Sequence, residues 1–252
     1  MYTGTDSRYT DIHIHALFGV DDGARTPEEM FGIVERAYRA GTRYMVLTPH
    51  FHPGYYGDNI AAAREAFRTL EEHCRVAYPD LHLYRGNELH YQKGCRSWVD
   101  TGACLTVAGS NYLLVDFSEY DSADLIFDGL HRLLNGGYLP ILAHAEKYRA
   151  LRGKYKAIGL LRQSGILIQM DAASVLGESG WSVKRFSRGL LKRKMVDIVS
   201  SDAHRTDTRL WRMDECGAWI GSNCSPEYAK ALLYDNARII LESKTAEVIS
   251  NG

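Results

Sequence analysis

The stretch Asp11-Ile12-His13-Ile14-His15 alternates apolar and polar side chains along a predicted β-strand, which we place at residues 9–15. Side chains two residues apart on a strand project to the same face, so the imidazoles of His13 and His15 share one face. Ile12 and Ile14 then face the covering helices. A lone His-x-His pair is a weak signal for metal, since two packed histidines explain it as well. Its meaning depends on what the other strands place beside it.

The rest of the chain repeats one unit, a short apolar strand followed by an amphipathic helix. The first helix is predicted to begin with Thr26 as its N-cap and Pro27 as its first residue, and Glu29 is placed to complete a capping box. Gly41 is the predicted C-cap at its end. The regular alternation, without a linker or repeat, predicts one parallel α/β domain over residues 1–252. Further strands are predicted at 43–48, 81–85, 112–117, 139–143, 166–170 and 196–200, and helices at 60–76, 123–134, 155–163, 183–192 and 226–241.

Every predicted strand runs into a histidine or a carboxylate at its carboxyl end. In a (β/α) barrel these ends converge on one mouth, whereas an open sheet spreads them along a line. The pattern therefore favours a barrel with a metal centre at its mouth, and the mixture of imidazole and carboxylate suits Mn, Fe or Zn. In strand order the residues are His13 and His15, His50, Glu88, Asp116, His144, Asp171, and Asp202 with His204.

Composition narrows the class of protein. The chain of 252 residues has 30 Lys and Arg against 31 Asp and Glu, so its balanced charge supports neither nucleic-acid nor membrane-surface binding. Residues 1–6 do not resemble a secretory signal, and no apolar run approaches the roughly 18 residues of a membrane span. Five cysteines without a Cys-x-x-Cys pair predict reduced thiols. We expect a cytoplasmic protein without membrane insertion.

Several short motifs surround the histidines and carboxylates at the strand ends, namely 11–15, Gly19-Val20-Asp21-Asp22-Gly23-Ala24, Thr48-Pro49-His50, Gly86-Asn87-Glu88-Leu89, Leu113-Leu114-Val115-Asp116-Phe117, Ala143-His144-Ala145-Glu146-Lys147-Tyr148 and Ser201-Asp202-Ala203-His204. They resemble those of the polymerase-and-histidinol-phosphatase (PHP) superfamily, and more narrowly the bacterial capsule-associated tyrosine-protein phosphatases of the CpsB/YwqE type. The resemblance runs in order from about residue 10 to residue 209 and implies a distorted (β/α)₇ TIM-like barrel.

The resemblance implies three divalent metal ions, with Mn expected and Fe, Zn or Mg as alternatives. Glu88 would bridge the first and second ions, and the net positive field of the cluster would suit a phosphate dianion. The implied sets are His13, His15, Glu88 and Asp202 for the first ion, Glu88, Asp116 and His144 for the second, and Asp22, His50 and His204 for the third.

Two positions depart from the family pattern. Asp116 stands where the family usually has the longer Glu, and Lys147 stands at a phosphate-contacting arginine, where it keeps the charge but loses the bidentate fork. Arg209 matches the family's other phosphate arginine. The implied reaction is hydrolysis by a hydroxide shared between metals, with Lys147 and Arg209 neutralising charge on the phosphoryl oxygens.

The resemblance implies a phosphotyrosyl protein substrate, expected to be the C-terminal tail of a bacterial tyrosine kinase that controls capsule or exopolysaccharide synthesis. A cysteine-based phosphatase is excluded, because no cysteine precedes an arginine by six residues. Open alternatives are a small-molecule phosphatase of the histidinol-phosphate type, a phosphodiesterase, and a non-catalytic metal-stabilised regulatory protein. An amidohydrolase ranks lower, since Asp22 and Glu88 have no place in its site.

Other residues near the predicted mouth have weaker assignments. Asp171 is expected to support the ligands rather than bind metal. His52 and His90 either line the substrate pocket or belong to a surface loop. The basic run at 184–194 is either a solvated helix face or a surface that attracts an acidic tail peptide. Four aromatic residues are candidates to stack on a phenyl ring or to anchor loops, namely Phe51, Tyr55, Tyr56 and Tyr91.

Overall fold

Within residues 9–56 and 58–243, which the computed structural model describes, nine short strands, all paired in parallel, form the centre of the fold. The N-terminal stretch that does not resemble a secretory signal, and the ends of the predicted 1–252 domain, lie outside these residues. The strands are β1 Tyr9–Ile14, β2 Thr42–Leu47, β3 His50–Phe51, β4 His82–Arg85, β5 Glu88–His90, β6 Tyr112–Asp116, β7 Leu139–Leu142, β8 Leu167–Asp171 and β9 Ile198–Ser200.

The pairing of these strands produces a curled sheet. β1 pairs with β2 and β2 with β4, while β3, β5, β6, β7, β8 and β9 pair in that order. β3 and β5 continue β2 and β4 after short interruptions, the first of which contains Pro49, a residue without the N–H that a ladder needs. At the far side the backbone N–H of His15 donates to the carbonyl of Ala203 at 2.9 Å, so the segment after β9 lies against β1.

Helices follow most strands and cover the sheet. Thr26 caps the first helix by accepting from the N–H of Glu29, and Gly41 takes the left-handed φ of 111° just past its end. The predicted capping box is wrong, because the Glu29 carboxylate accepts from the backbone and guanidinium of Arg25 instead. The helices are α1 Pro27–Arg39, α2 Pro53–Tyr56, α3 Ile60–Ala77, α4 Arg96–Asp100, α5 Ala123–Asn135, α6 Tyr155–Gln163, α7 Ala172–Leu176, α8 Trp181–Lys192, α9 Met213–Asn223, α10 Pro226–Lys230 and α11 Asn236–Glu242, with a 3₁₀ turn at Val107–Gly109 and a π turn at Ala231–Asp235.

Buried apolar side chains form two clusters. The larger one joins the strands to the covering helices and includes Ile14 of β1 with Met30 and Val34 of α1. The smaller cluster packs strand residues such as Ile12 against Ala237 and Ile240 of α11. The alternation in β1 therefore separates apolar packing from the imidazoles of the same strand, as the sequence predicted for Ile12 and Ile14.

Within 9–56 and 58–243, no helix combines the length and the apolar character that crossing a membrane requires.

Candidate metal centre

Four side chains from three strand ends place one atom each around a common point. Nε2 of His13 lies 3.1 Å from Nε2 of His15, and Oε2 of Glu88 lies 3.3 Å and 3.2 Å from these two nitrogens. Oδ1 of Asp202 lies 3.4 Å from the His13 nitrogen and 3.5 Å from that of His15. Ligands about 2.1 Å from one metal ion lie about 3.4 Å apart in a tetrahedral site, and these five separations are close to that value. The compact group that could hold an ion consists of His13, His15 and Glu88, and Asp202 lies next to its two imidazoles.

A second group of four side chains lies next to it. Oδ1 of Asp22 lies 3.4 Å from Nε2 of His50 and 3.4 Å from Nε2 of His204. Ligand atoms of these three residues and of His15 all lie within 4.8 Å of one another. The imidazole rings of His15 and His204 are stacked with centroids 4.0 Å apart, which holds the two groups together. The set expected for a third ion is thus assembled here.

The third group differs from the expected set of Glu88, Asp116 and His144. Oε1 of Glu88 lies 2.9 Å from Nε2 of His144, but the compact group around Asp116 contains Glu88 and His50. Nδ1 of His50 lies 2.9 Å from Oε2 of Glu88, so this imidazole faces two groups with its two nitrogens. His144 is therefore close to Glu88 but is not part of the compact group with Asp116.

The Asp116 carboxylate has a partner that the resemblance did not supply. Nδ1 of His90 lies 3.1 Å from each of its two oxygens. His90 stands two residues after Glu88 on β5, so both side chains project to the same face of the sheet. This spacing is a signal in the sequence that places His90 at the mouth.

Many polar atoms at the centre lack a hydrogen-bond partner although they are buried. Burying such an atom unpaired costs about 1–3 kcal/mol, so a cluster of them indicates that something else binds there. Their concentration on the candidate ligands is an independent sign that these residues fit metal ions. In the described part of the chain these atoms include Oδ1 of Asp22, Oε2 of Glu88, Nδ1 of His144, Oδ1 of Asp202 and Nε2 of His204.

Two residues that sequence reasoning did not assign hold the imidazoles in place. Oδ2 of Asp21 lies 2.8 Å from Nδ1 of His15, which turns the other nitrogen of that ring toward Glu88. Oε1 of Gln169 lies 3.2 Å from Nδ1 of His13 and accepts from the N–H of His144 at 2.7 Å. A carboxylate or amide behind a metal-binding imidazole sets its tautomer and orientation. In the sequence, Asp21 is part of the motif 19–24, and the signal that could have identified Gln169 is its inward position on β8.

Three backbone positions at the centre have geometry that few residues allow. A Cβ at Gly23 would lie 2.0 Å from the carbonyl oxygen of His15, so only glycine lets the loop carrying Asp21 and Asp22 pack against β1. His144 and Asp202 adopt left-handed φ angles of 33° and 49° directly after their strands. Such conformations are uncommon outside glycine and accumulate at functional sites.

The two predicted phosphate-binding cations pair with carboxylates of the centre. Nζ of Lys147 lies 2.5 Å from Oδ2 of Asp171 and 2.9 Å from Oδ2 of Asp202. Arg209 reaches Oδ2 of Asp22 at 3.2 Å and the same Asp202 oxygen at 2.9 Å. Asp171 thus contacts the centre through Lys147, and Arg209 remains 44% exposed at the mouth.

The charges of these groups oppose one another strongly. Burial alone would lower the pKa of His13, but the carboxylates of Glu88 and Asp202 raise it to about 10. Burial opposes ionisation of Asp202, yet Lys147 and Arg209 hold the pKa of its carboxyl well below the usual range. Burial, together with the nearby His15, lowers the pKa of His204 to about 4. Without metal, the centre therefore holds protons on some imidazoles beside ionised carboxylates.

The aromatic residues divide between the mouth and the interior. Tyr56 lies parallel to His50 with centroids 5.3 Å apart, His52 stacks on His90 at 4.1 Å, and Tyr55 is 75% exposed. Phe51 packs instead against Trp98, and Tyr91 stacks on Phe117. The first three thus border the mouth, and the latter two anchor loops.

Comparison with known proteins relates this geometry to a family. The sequence model of the capsular polysaccharide synthesis family CpsB/CapC matches residues 9–242. The chain is 31% identical over 236 residues to the tyrosine-protein phosphatase CpsB of Streptococcus pneumoniae, covering 92% of this chain and 97% of that protein. It is 28% identical over 236 residues to the tyrosine-protein phosphatase YwqE of Bacillus subtilis, covering 93% and 92%.

Solved structures give the same relationship. A chain from the crystallographic study of YwqE from Bacillus subtilis and CpsB from Streptococcus pneumoniae, described there as unique metal-dependent tyrosine phosphatases, superposes with a TM-score of 0.85. That match has 28% identity and covers 94% of this chain and 95% of the other. A chain of an archaeal ribonuclease P complex with mature tRNA shares the fold, with a TM-score of 0.58 at 17% identity, covering 91% and 96%.

Proposed function

The chain belongs to the CpsB/CapC family of capsular polysaccharide synthesis proteins, and on that premise we propose that it is a metal-dependent protein-tyrosine phosphatase. The observation that carries the proposal is the cage of His13, His15, Glu88 and Asp202, in which Oε2 of Glu88 and Oδ1 of Asp202 are buried without a hydrogen-bond partner among the described residues. A cation bound between these side chains would offset the cost of burying the two unpaired oxygens.

We assign three divalent ions to the centre, with Mn as the first expectation and Fe, Zn or Mg as alternatives. Glu88 would bridge the first two, since its two oxygens face opposite ways, Oε2 toward His13 and Oε1 toward His144. The proposed ligand sets are His13, His15, Glu88 and Asp202 for the first ion, Glu88, Asp116 and His144 for the second, and Asp22, His50 and His204 for the third. The compact groups around His13 and around Asp22 support the first and third sets, whereas the group around Asp116 contains Glu88 and His50.

The proposed fold is one distorted (β/α)₇ PHP barrel over residues 1–252. Its support is the hydrogen bond from His15 to Ala203, with a second from the N–H of Asp202 to the carbonyl of His13 at 2.9 Å. With β3 and β5 counted as continuations of β2 and β4, a closed ring would contain seven strands, and these bonds support its closure between β1 and the segment after β9.

Bound divalent ions supply a Lewis acid and lower the pKa of water at such a centre. The chain's own residues then orient the substrate. Two of the three N–H donors of the Lys147 ammonium are used by Asp171 and Asp202, which leaves one for a phosphoryl oxygen. Arg209 has further N–H donors beyond its two contacts, and its exposure lets them reach the same phosphate. A tyrosyl leaving group with a pKa of about 10 needs little help from a general acid.

The substrate class follows from the family and from the mouth. Tyr55, Tyr56 and His52 border it with aromatic faces against which a phenyl ring can stack. We propose a phosphotyrosyl protein, and more narrowly the C-terminal tail of a bacterial tyrosine kinase that controls capsule or exopolysaccharide synthesis. The proposed location is cytoplasmic, where such a tail is accessible.

A thiolate mechanism is disfavoured by the environment of the cysteines. Burial raises the pKa of the Cys74 thiol to about 12, and it also raises the pKa values of Cys95, Cys104 and Cys216. Nucleophilic cysteines have lowered pKa values instead. Activity should therefore disappear on chelation with EDTA and survive treatment with a thiol alkylator. The reverse pattern would overturn the proposal.

The decisive experiment compares substrates on defined metal forms. Metal-depleted protein is reloaded with Mn, Fe, Zn or Mg and offered a phosphotyrosyl peptide, histidinol phosphate and a dinucleotide. We expect the peptide to be hydrolysed with the highest kcat/KM. A clear preference for histidinol phosphate or the dinucleotide would identify a small-molecule phosphatase or a phosphodiesterase, and bound metal without turnover would identify a regulatory protein.

A further inference from the structure

A second pocket opens beside the metal centre, and its lining is basic. It has a volume of about 420 Å³. We call it the basic pocket. It lies between the loop after His144, the loop after β6 and the start of α8. Its lining residues are Glu119, Lys147, Arg149, Arg152, Ser179, Gly180, Trp181, Ser182 and Val183.

Lys147 belongs to both sites, which fixes their distance. Its ammonium contacts Asp202 of the metal centre, while its backbone carbonyl accepts from Nη2 of Arg152 at 2.7 Å. The contact of Lys147 with Arg152 and its contact with Asp202 are therefore at most about one lysine side chain apart. An extended peptide covers such a distance in about two residues, at roughly 3.3 Å each.

The charge of the basic pocket is positive. The single carboxylate in its lining, Glu119, lies 3.6 Å from Nη2 of Arg149, so it is already paired. Nε of Arg152 is buried without a hydrogen-bond acceptor among the described residues. Arg149 lies over the ring of Tyr120 at 4.3 Å and remains 58% exposed, so its guanidinium is held at the rim and stays accessible. The two arginines against the one carboxylate of Glu119 thus give the pocket a surplus of positive charge, and Nε of Arg152 has a donor to offer.

The start of α8 adds to this field. Its N-cap is Gly180, no side chain caps its first turn, and that turn contains no acidic residue. The first N–H groups of a helix lack partners within the helix, and the helix dipole makes this end positive. Trp181 and Ser182, the first two residues of the helix, line the pocket. This end therefore reinforces the arginines, although it would not define a site alone.

Two exposed aromatic residues flank the pocket. Trp181 is 73% exposed and Tyr120 is 69% exposed. Exposed aromatic residues combined with arginine are typical of surfaces that bind proteins. A partner that contacts this surface needs negative charge for the pocket and some apolar area for the rings.

We propose that the basic pocket is a substrate subsite, which binds an anionic side chain about two residues from the phosphotyrosine whose phosphate occupies the metal centre. The anion is a carboxylate or a second phosphate of the same peptide segment. This inference rests on the proposed function and deepens it, since it makes acidic or multiply phosphorylated tyrosine segments the preferred substrates. Because the subsite lies away from the reacting phosphorus, it binds ground and transition states alike and acts on KM rather than on kcat.

The test uses full-length, metal-loaded protein and three matched phosphotyrosyl peptides. They carry Gln, Glu or a second phosphotyrosine two residues from the scissile group. We expect kcat/KM for the two anionic peptides to exceed that for the Gln peptide roughly tenfold, about the effect of one charge-assisted hydrogen bond, with the difference in KM. Comparing the Glu peptide with the doubly phosphorylated one then distinguishes a carboxylate site from a phosphate site.

Two variants probe the pocket and one serves as control. Arg149→Glu reverses an exposed charge, and Ser182→Glu places an acid in the first turn of α8, where it favours the helix but repels an anion. Both should reduce the ratio of kcat/KM between the Glu and Gln peptides to about one or below, because the basic pocket would no longer bind the anionic side chain of the peptide. Lys192→Glu makes the same charge reversal at the other end of α8 and should leave the ratio unchanged.

Equal kcat/KM values for the three peptides, or an unchanged ratio in Arg149→Glu and Ser182→Glu, would overturn the subsite while phosphotyrosine hydrolysis stood. Absence of hydrolysis of every phosphotyrosyl peptide would instead remove the proposed function, and the subsite with it.

Discussion

The Nζ atom of Lys147 lies 2.9 Å from Oδ2 of Asp202, while Oδ1 of the same carboxylate faces His13 and His15. Asp202 thus has one oxygen for the ligand cage and one for cations outside it. The Lys147 ammonium also contacts Asp171, so a single lysine offsets two buried carboxylates. The stability of the metal-free protein should therefore depend on Lys147.

Replacing Lys147 by Met should lower the free energy of unfolding of metal-free protein by roughly 3–5 kcal/mol, because Asp171 and Asp202 would remain buried together without their shared cation. Urea denaturation monitored by fluorescence measures it. The double variant with Asp171→Asn should recover part of the loss, since it removes the carboxylate left without a cation, whereas Asp202 keeps its contact with Arg209. Lys147→Arg keeps the charge and is the matched control. A Lys147→Met protein as stable as the parent would contradict the pairing.

Asp21→Asn should weaken metal binding about 10–100-fold, because the carboxylate behind His15 holds the imidazole that faces Glu88. Metal content after dialysis against a graded chelator, together with calorimetric titration, measures the change. Asp207→Asn removes an exposed carboxylate elsewhere and should bind metal as the parent does. Equal affinity in the two variants would show that Asp21 does not support the centre.

His90→Ala should reduce the number of ions bound at limiting metal, with the loss at the group around Asp116. Its imidazole is the contact that holds both oxygens of that carboxylate, so its removal frees a short side chain to turn away. His52 stacks on His90, and His52→Ala is the matched control. The measurement is ions per chain by elemental analysis. Unchanged stoichiometry and affinity in His90→Ala would count against the role of His90.

Metal uptake near pH 7 should release protons. The pKa of His13 in the metal-free centre is raised to about 10, so its imidazole is protonated at pH 7 and must lose that proton to bind a cation. Apparent metal affinity should therefore rise with pH, by up to about tenfold per unit for each proton displaced. Calorimetry in two buffers of different ionisation enthalpy counts the protons. Uptake at pH 7 without proton release would contradict the assignment.

The same shift predicts how the stability of metal-free protein depends on pH. The folded pKa of His13 lies above the ordinary value of 6.5, so protonation favours the folded state. This contribution is complete below about pH 6.5 and is lost as the pH rises toward 10. Unfolding free energies measured across that interval should decline in the parent and decline less in His13→Asn, which cannot titrate.

Periodicity was sufficient to predict most of the fold. The strand predicted at 112–117 is observed at Tyr112–Asp116, and the helix predicted at 155–163 is observed at Tyr155–Gln163. Short elements such as α4 and α7 were not predicted, because five residues do not complete a repeating apolar pattern. The additional strands β3 and β5 are too short for the same reason.

The candidate ligands were predictable because strand ends are local features, whereas their partners are not. Asp11 accepts from the indole N–H of Trp211 across 200 residues, and no local pattern indicates this contact. Asp21 and Asp22 are neighbours with the same side chain, yet one contacts the far nitrogen of His15 and the other faces His50 and His204. The different contacts of Asp21 and Asp22 depend on how the loop packs around Gly23, which the local sequence does not show.

The contacts between β1 and the segment after β9, which we call the seam, join residues that the ribosome synthesises at widely separated times. The N–H of Ser201 donates to Asp11 across 190 residues, and His13 lies beside the last carboxylate of the cage, Asp202. At ribosomal rates of about 5–20 residues per second, the first two histidines emerge roughly 10–40 s before that carboxylate. The nascent chain therefore presents unshielded imidazoles to the cell for that interval. The seam cannot form before Ser201 has left the ribosome, so the complete set of candidate ligands is among the last features of the molecule to assemble.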